Sequence, residues 1–173
     1  MLPDFPYHPD PLATGSVKAS AERCECCSEA RGFVYVGPFY AVDEIVAICP
    51  WCIAGGDAAA KFDGSFVDDA NFAGEGLGEE IVRQVCLRTP SYAGWQQEQW
   101  LSHCNDACAF HGNATSEDLD GASEATRGAW KSAYGLTDRD WTRAIAGYPN
   151  NDSGFYKFVC RHCRVVLLAW DMS

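Results

Sequence analysis

The chain has 173 residues, with 24 acidic side chains against 13 basic ones and a formal net charge of −11. That charge opposes a nucleic-acid backbone, so direct nucleic-acid binding is disfavoured and a basic protein is the partner such a surface would steer. No stretch reaches the roughly 18 apolar residues of a membrane span. The opening Met1-Leu2-Pro3-Asp4 has neither the basic nor the apolar run of a secretion leader, so the expected location is the cytoplasm, with the oligomeric state left open.

A hydrophobic fraction of 47% and six Trp at this length fit a single packed domain. Its expected parts are an extended proline-rich arm over residues 1–22, a zinc-ribbon-like lobe over 23–56, and a helical body over 57–173 that ends in a hairpin. The arm carries Pro3, Pro6, Pro9 and Pro11, with Phe5, Tyr7 and Leu12 as anchors. Residues 32–40 and 44–49 are rich in β-branched and aromatic side chains and read as two strands broken at Gly37-Pro38. A short helix is expected from Asp57 to Asp63, stopped by Gly64-Ser65, and then a surface loop to residue 78. Ile81, Val82, Val85 and Cys86 have helical spacing up to Thr89-Pro90. A further helix over 94–104 would bring Trp95, Leu101 and Cys104 together and deliver Cys104 to a buried position. Residues 112–121 look turn-like. Helices over 123–134 and from Thr137 present Trp130, Tyr134, Trp141 and Ile145, and most of the tryptophans read as core. Residues 155–160 and 164–170 form a hairpin around Cys160-Arg161-His162-Cys163.

Ten cysteines without a secretion leader point to metal rather than disulfides. Cys24 and Cys27 pair with Cys49 and Cys52 across 21 intervening residues, the spacing of a four-thiolate ribbon site. Cys26 can replace Cys24 or Cys27, and spacing does not choose between them. Trp51, between two thiolates, is placed to cover the metal. Cys104 and Cys108 with Cys160 and Cys163 make a second candidate set. His103, His111 and His162 flank it as substitutes, although neighbours of ligands usually orient backbone rather than bind. Two zinc ions are therefore expected. Cys86 reads as a small buried hydrophobe.

A metal-dependent hydrolase would draw on Glu98, His103 and Asp106 near the second set, with His111, Lys61 and Asp63 as weaker candidates, but no hydrolase or phosphate-loop motif accompanies them. Cys49-Pro50-Trp51-Cys52 read alone resembles a thioredoxin-like redox pair, against which stand the Cys24/Cys27 pair and the lack of a βαβ pattern. The fold class expected is α+β, with small β-hairpins carrying zinc knuckles packed on several short helices. The function expected is a zinc-stabilised cytoplasmic binding or adaptor protein, with metal-dependent hydrolysis at the second cluster as the alternative.

The blocks Phe5-Pro6-Tyr7-His8-Pro9-Asp10-Pro11-Leu12, Cys49-Pro50-Trp51-Cys52-Ile53-Ala54, 58–66, 95–108 and 158–163 together resemble the CbrC family of bacterial proteins, one of which is named for tolerance to a nuclease colicin. The resemblance implies one compact bacterial cytoplasmic domain and no particular reaction. It is compatible with direct binding of a basic toxin by the acidic surface and with an indirect effect.

Overall fold

The protein is described over residues 1–172 by a computed structural model. It is an α+β fold with, among the described residues, three small antiparallel sheets, six α-helices and one 3-10 turn at Asp69–Phe72. β1 (Val17–Ala19) pairs with β2 (Phe33–Tyr35), β3 (Ser102–His103) with β4 (Asp106–Ala107), and β5 (Ala109–Asn113) joins β6 (Ser153–Val159) and β7 (Val166–Met172) in the order β5-β6-β7. The helices are α1 (Pro50–Gly55), α2 (Asp57–Phe62), α3 (Glu79–Arg88), α4 (Ser116–Asp120), α5 (Glu124–Tyr134) and α6 (Asp138–Ile145). No described helix is long and apolar enough to cross a membrane.

Local chemistry sets most of these boundaries. Pro50 opens α1 at a position whose N–H has no helical partner, and Gly56 at φ +79° ends it and starts α2. Thr115 and Thr137 each close a capping box, with Asp118 and Asp140 respectively, at the starts of α4 and α6. α4 and the end of β5 therefore occupy the stretch that reads as turn in the sequence. Residues 44–49 contribute only the bridge from Ile48 to Tyr35 rather than a full strand.

The helix expected over 94–104 does not form. Cys104 and Asn105 both sit at φ +55°, the left-handed geometry of a two-residue hairpin turn, and fold β4 back onto β3. The chain before this turn runs irregularly because its polar groups are used at long range. Trp100 donates its indole N–H to the Cys108 carbonyl, and the Trp95 amide donates to Asp171 and Tyr156. Trp95 is consequently exposed, not core.

Three apolar clusters fill the interior. One surrounds Tyr92, Trp100, Phe110 and Phe158 beneath the β5-β6-β7 sheet. A second packs Phe5, Tyr35, Ile48, Ile53 and Phe66 around Cys24, Cys49 and Cys52. The third places Trp130, Trp141, Leu119 and Phe155 between α4–α6 and the sheet. Phe5 and Tyr7 anchor the arm as expected, and His8 joins them in full burial, while Leu12 is exposed.

Candidate metal centres

The first centre is built from two tight turns. In one, the Ser28 amide donates to the Cys24 carbonyl at 2.7 Å, with Ser28 at φ +63°, so Cys24 and Cys27 face the same side. In the other, Cys49 is the residue before α1 and Cys52 lies in its first turn, held by the Cys52 amide donating to the Cys49 carbonyl at 3.0 Å. Glu25 ties the turns together. Its carboxylate accepts from the Val46 and Ala47 amides at 2.8 and 3.0 Å, and its own amide donates to the Ala47 carbonyl. Lys61 Nζ on α2 donates to the carbonyls of Glu25 and Cys26, each at 2.8 Å.

The ligand atoms of Cys24, Cys27, Cys49 and Cys52 lie within 4.8 Å of one another. The Cys24–Cys52 and Cys27–Cys49 sulfur pairs are each 3.8 Å apart. Zinc at about 2.3 Å from four sulfurs of a regular tetrahedron puts the sulfurs about 3.8 Å apart, whereas a disulfide needs about 2.05 Å. The donor set therefore fits zinc in size, number and softness.

Electrostatics agree. Burial raises the Cys24 thiol, but amide donors from Cys27, Cys49 and Cys26 outweigh it and bring the group down to about 7. Burial pushes Cys49 up to about 11, and Cys52 is driven up by burial and by its thiol neighbours. The Cys24 thiolate is thereby favoured, while Cys49 and Cys52 hold protons that a dication would displace. Cys26 stands outside the four, half-buried. Trp51 is half-buried at the rim, near Phe33 and under the Arg31 guanidinium at 5.6 Å.

The second centre joins the tips of two hairpins. Its ligand atoms come from His103, Cys104, Cys160 and Cys163, again within 4.8 Å of one another. His103 Nδ1 lies 3.1 Å from Cys104 Sγ and 3.4 Å from Cys163 Sγ, close to the roughly 3.6 Å edge of a zinc tetrahedron carrying one nitrogen and three sulfurs. Cys108, which its spacing nominates, stands elsewhere. The turn at Cys104-Asn105 reverses the chain, the Cys108 amide donates to the Leu101 carbonyl, and the Cys108 side chain is fully buried in the core. Burial pushes its thiol up to about 12. His103 takes the fourth position because the same turn lets two adjacent residues reach one point, a possibility that spacing rules weight too lightly. Burial raises Cys160, but the amides of Cys163 and His162 outweigh it and hold the group at about 6.

Beside this centre, Asp106 is 6% exposed and fully engaged. Its Oδ1 accepts from Tyr7 Oη at 2.8 Å, and its Oδ2 from Arg161 Nη1 at 2.9 Å and His162 Nε2 at 2.8 Å. The Arg161 guanidinium lies 4.4 Å above the Tyr7 ring. Burial would raise Asp106, but the Tyr7 and His162 hydrogen bonds and the Arg161 charge hold it below the usual carboxylate range. No motif announces this network, which links the N-terminal arm, β4 and the Cys160–Cys163 turn.

The three hydrolase candidates are thereby separated. His103 is a prospective ligand and Asp106 is occupied. Glu98 is buried in a different network, accepting from the Tyr40 hydroxyl and, at 2.9 Å, from the Asp68 amide. His162 serves Asp106, and His111 lies on β5 outside the cluster.

The chain is similar throughout its length to a set of bacterial proteins. Pseudomonas aeruginosa UPF0167 protein PA1536 is 44% identical over 165 residues, covering 94% of this chain and 92% of the relative. UPF0167 protein Mb2317 of Mycobacterium bovis is 39% identical over 176 residues, covering 99% of this chain and 94% of the relative, and UPF0167 protein MT2352 of Mycobacterium tuberculosis matches to the same extent. No solved structure matches it significantly. A family model described as an uncharacterised protein family, UPF0167, matches residues 2–172, and the chain belongs to that family.

Proposed function

We propose that this protein is a zinc-stabilised binding protein of the cytoplasm, with one zinc held by Cys24, Cys27, Cys49 and Cys52 and another by His103, Cys104, Cys160 and Cys163. The observation that carries the reading is the pair of 3.8 Å sulfur separations in the first cluster, the tetrahedral edge for zinc. Four protein donors at each centre fill a tetrahedral ion and leave no position for an activated water, and the buried first centre suits a structural role. Function then falls to the surface, whose net charge of −11 favours a basic protein partner. The resemblance to the CbrC family is compatible with membership of UPF0167 and suggests a basic nuclease domain as the partner's class.

Elemental analysis and zinc X-ray absorption on protein purified without a polyhistidine tag test the metal half. Two zincs per chain with sulfur dominating and a minority nitrogen shell are expected. Fewer than two, or an oxygen-rich shell, would defeat the assignment. For the partner half, a basic colicin nuclease domain is the probe. Binding at low ionic strength that weakens steeply as salt approaches about 0.15 M is expected, and absence of binding at low salt would refute it.

A further inference from the structure

The two clusters share a donor chemistry but differ in surroundings. In the first, Cys24, Cys49 and Cys52 are buried and only Cys27 is partly exposed. In the second, His103, Cys104 and Cys163 are all exposed and only Cys160 is buried. Exposure matters because a tetrahedral thiolate site exchanges its ion when an incoming donor reaches the metal, and buried ligands block that approach.

Three further features mark the second site. His103 also lines a cleft of about 400 Å³ formed with Trp100, Leu101, Ala133, Leu167 and Leu168, so a ligand has an approach beside the nitrogen donor. Among the described residues, none hydrogen-bonds His103 Nε2, the atom through which a metal-binding histidine is ordinarily held in orientation. Finally, contacts other than metal bonds also hold the frame. Asp106 holds the Cys160–Cys163 turn through Arg161 and His162, and the Cys160 thiol contacts the His103 carbonyl. These contacts tie the two hairpin tips together independently of the four ligand atoms.

We propose that His103, Cys104, Cys160 and Cys163 form an exchange site, from which zinc passes to and from an incoming nitrogen- or sulfur-donor ligand approaching beside His103. The Cys24–Cys27–Cys49–Cys52 site keeps its ion. In the exchange, donors of the incoming ligand contribute lone pairs to zinc one at a time, first as His103 Nδ1 withdraws its own and then as the thiolates of Cys104, Cys163 and Cys160 withdraw theirs and take up protons from solvent. The coordination number is four before and after, and no electron is transferred. The proposal rests on both sites holding zinc, as assigned above.

The test uses the full-length zinc-loaded protein. Its metal content is measured first, and release is then followed with excess 4-(2-pyridylazo)resorcinol, a nitrogen- and oxygen-donor chelator that reports zinc by colour. Two phases of equal amplitude are expected, the first resolved as the faster and assigned to the exposed site. Protein recovered after the fast phase should keep its circular dichroism and show an all-sulfur zinc shell by X-ray absorption. The double variant His103→Ala/Cys104→Ser should lack the fast phase and retain the slow one. Release of both zincs at one rate, a retained shell containing nitrogen, or loss of fold with the fast phase would overturn the exchange site. A starting content below two zincs per chain would instead show that the underlying assignment had failed, and the exchange site with it.

Discussion

The Tyr7–Asp106 hydrogen bond gives a sharp test of how the N-terminal arm is held on the second centre. Asp106→Ala removes the acceptor of three donors that differ in access to water. Tyr7 is 5% exposed, so its hydroxyl would be left buried without a partner, at about 1–3 kcal/mol. The Arg161 and His162 side chains are 35% and 57% exposed and can turn to solvent, so each loses only about 0–1 kcal/mol. The expected total is about 1–5 kcal/mol. Tyr7→Phe isolates the pairwise part, because it deletes the hydroxyl and leaves the ring under the Arg161 guanidinium. A double-mutant cycle by urea unfolding, at fixed saturating free zinc so that metal linkage is constant, should give a coupling of about 1.5–3 kcal/mol, the range for a hydrogen bond to a charged group. Coupling below about 0.5 kcal/mol would show that the arm is held by apolar contacts alone and that Asp106 does not couple it to the knuckle.

Cys49→Ser should yield insoluble or unfolded protein. A structural zinc contributes roughly 10 kcal/mol or more, comparable to the whole stability of a domain, and a soluble variant that melts cooperatively would contradict the structural assignment. Glu98→Ala leaves the Asp68 amide and the Tyr40 hydroxyl without their acceptor and should cost about 1–3 kcal/mol in thermal or urea unfolding; an unchanged midpoint would show that water replaces the carboxylate. His8 should make stability sensitive to acid. Burial is the main reason its pKa falls from 6.5 to about 4, as it lies fully buried between the Pro90 carbonyl at 2.7 Å and the Thr14 hydroxyl at 2.6 Å. The unfolded state then binds the proton first, so the contribution is complete above pH 6.5 and is lost as pH falls toward 4, at about 1.4 kcal/mol per pH unit. Between pH 6.5 and 5 the wild type should lose about 1.6 kcal/mol more than His8→Gln, and parallel curves would refute a neutral buried imidazole.

Much of the metal chemistry is legible in the sequence because it rests on local geometry. A Cys-x-x-Cys turn places two sulfurs on one side whatever surrounds it, so Cys24, Cys27, Cys49, Cys52, Cys160 and Cys163 can be nominated from spacing. The helices over 79–88, 124–134 and 138–145 follow from apolar periodicity and caps, and the closing hairpin follows from its β-rich flanks around a tight turn. The α+β class follows from these elements together.

What only the tertiary structure decided depends on long-range competition for polar groups. The stretch before Cys104 has helical spacing, yet its backbone and side chains are drawn to Asp171, Tyr156, Asn71 and Asp68, and two residues in left-handed geometry then turn it into a hairpin. That turn buries Cys108 in the core and brings His103 into the cluster that could hold a metal, an exchange that one-dimensional spacing does not encode. Asp106 and Glu98 look alike in sequence as acidic residues near a cysteine cluster. Three donors brought from residues 7, 161 and 162 surround the first, and donors from residues 40 and 68 surround the second, because the folded chain alone sets which buried carboxylate meets which donor.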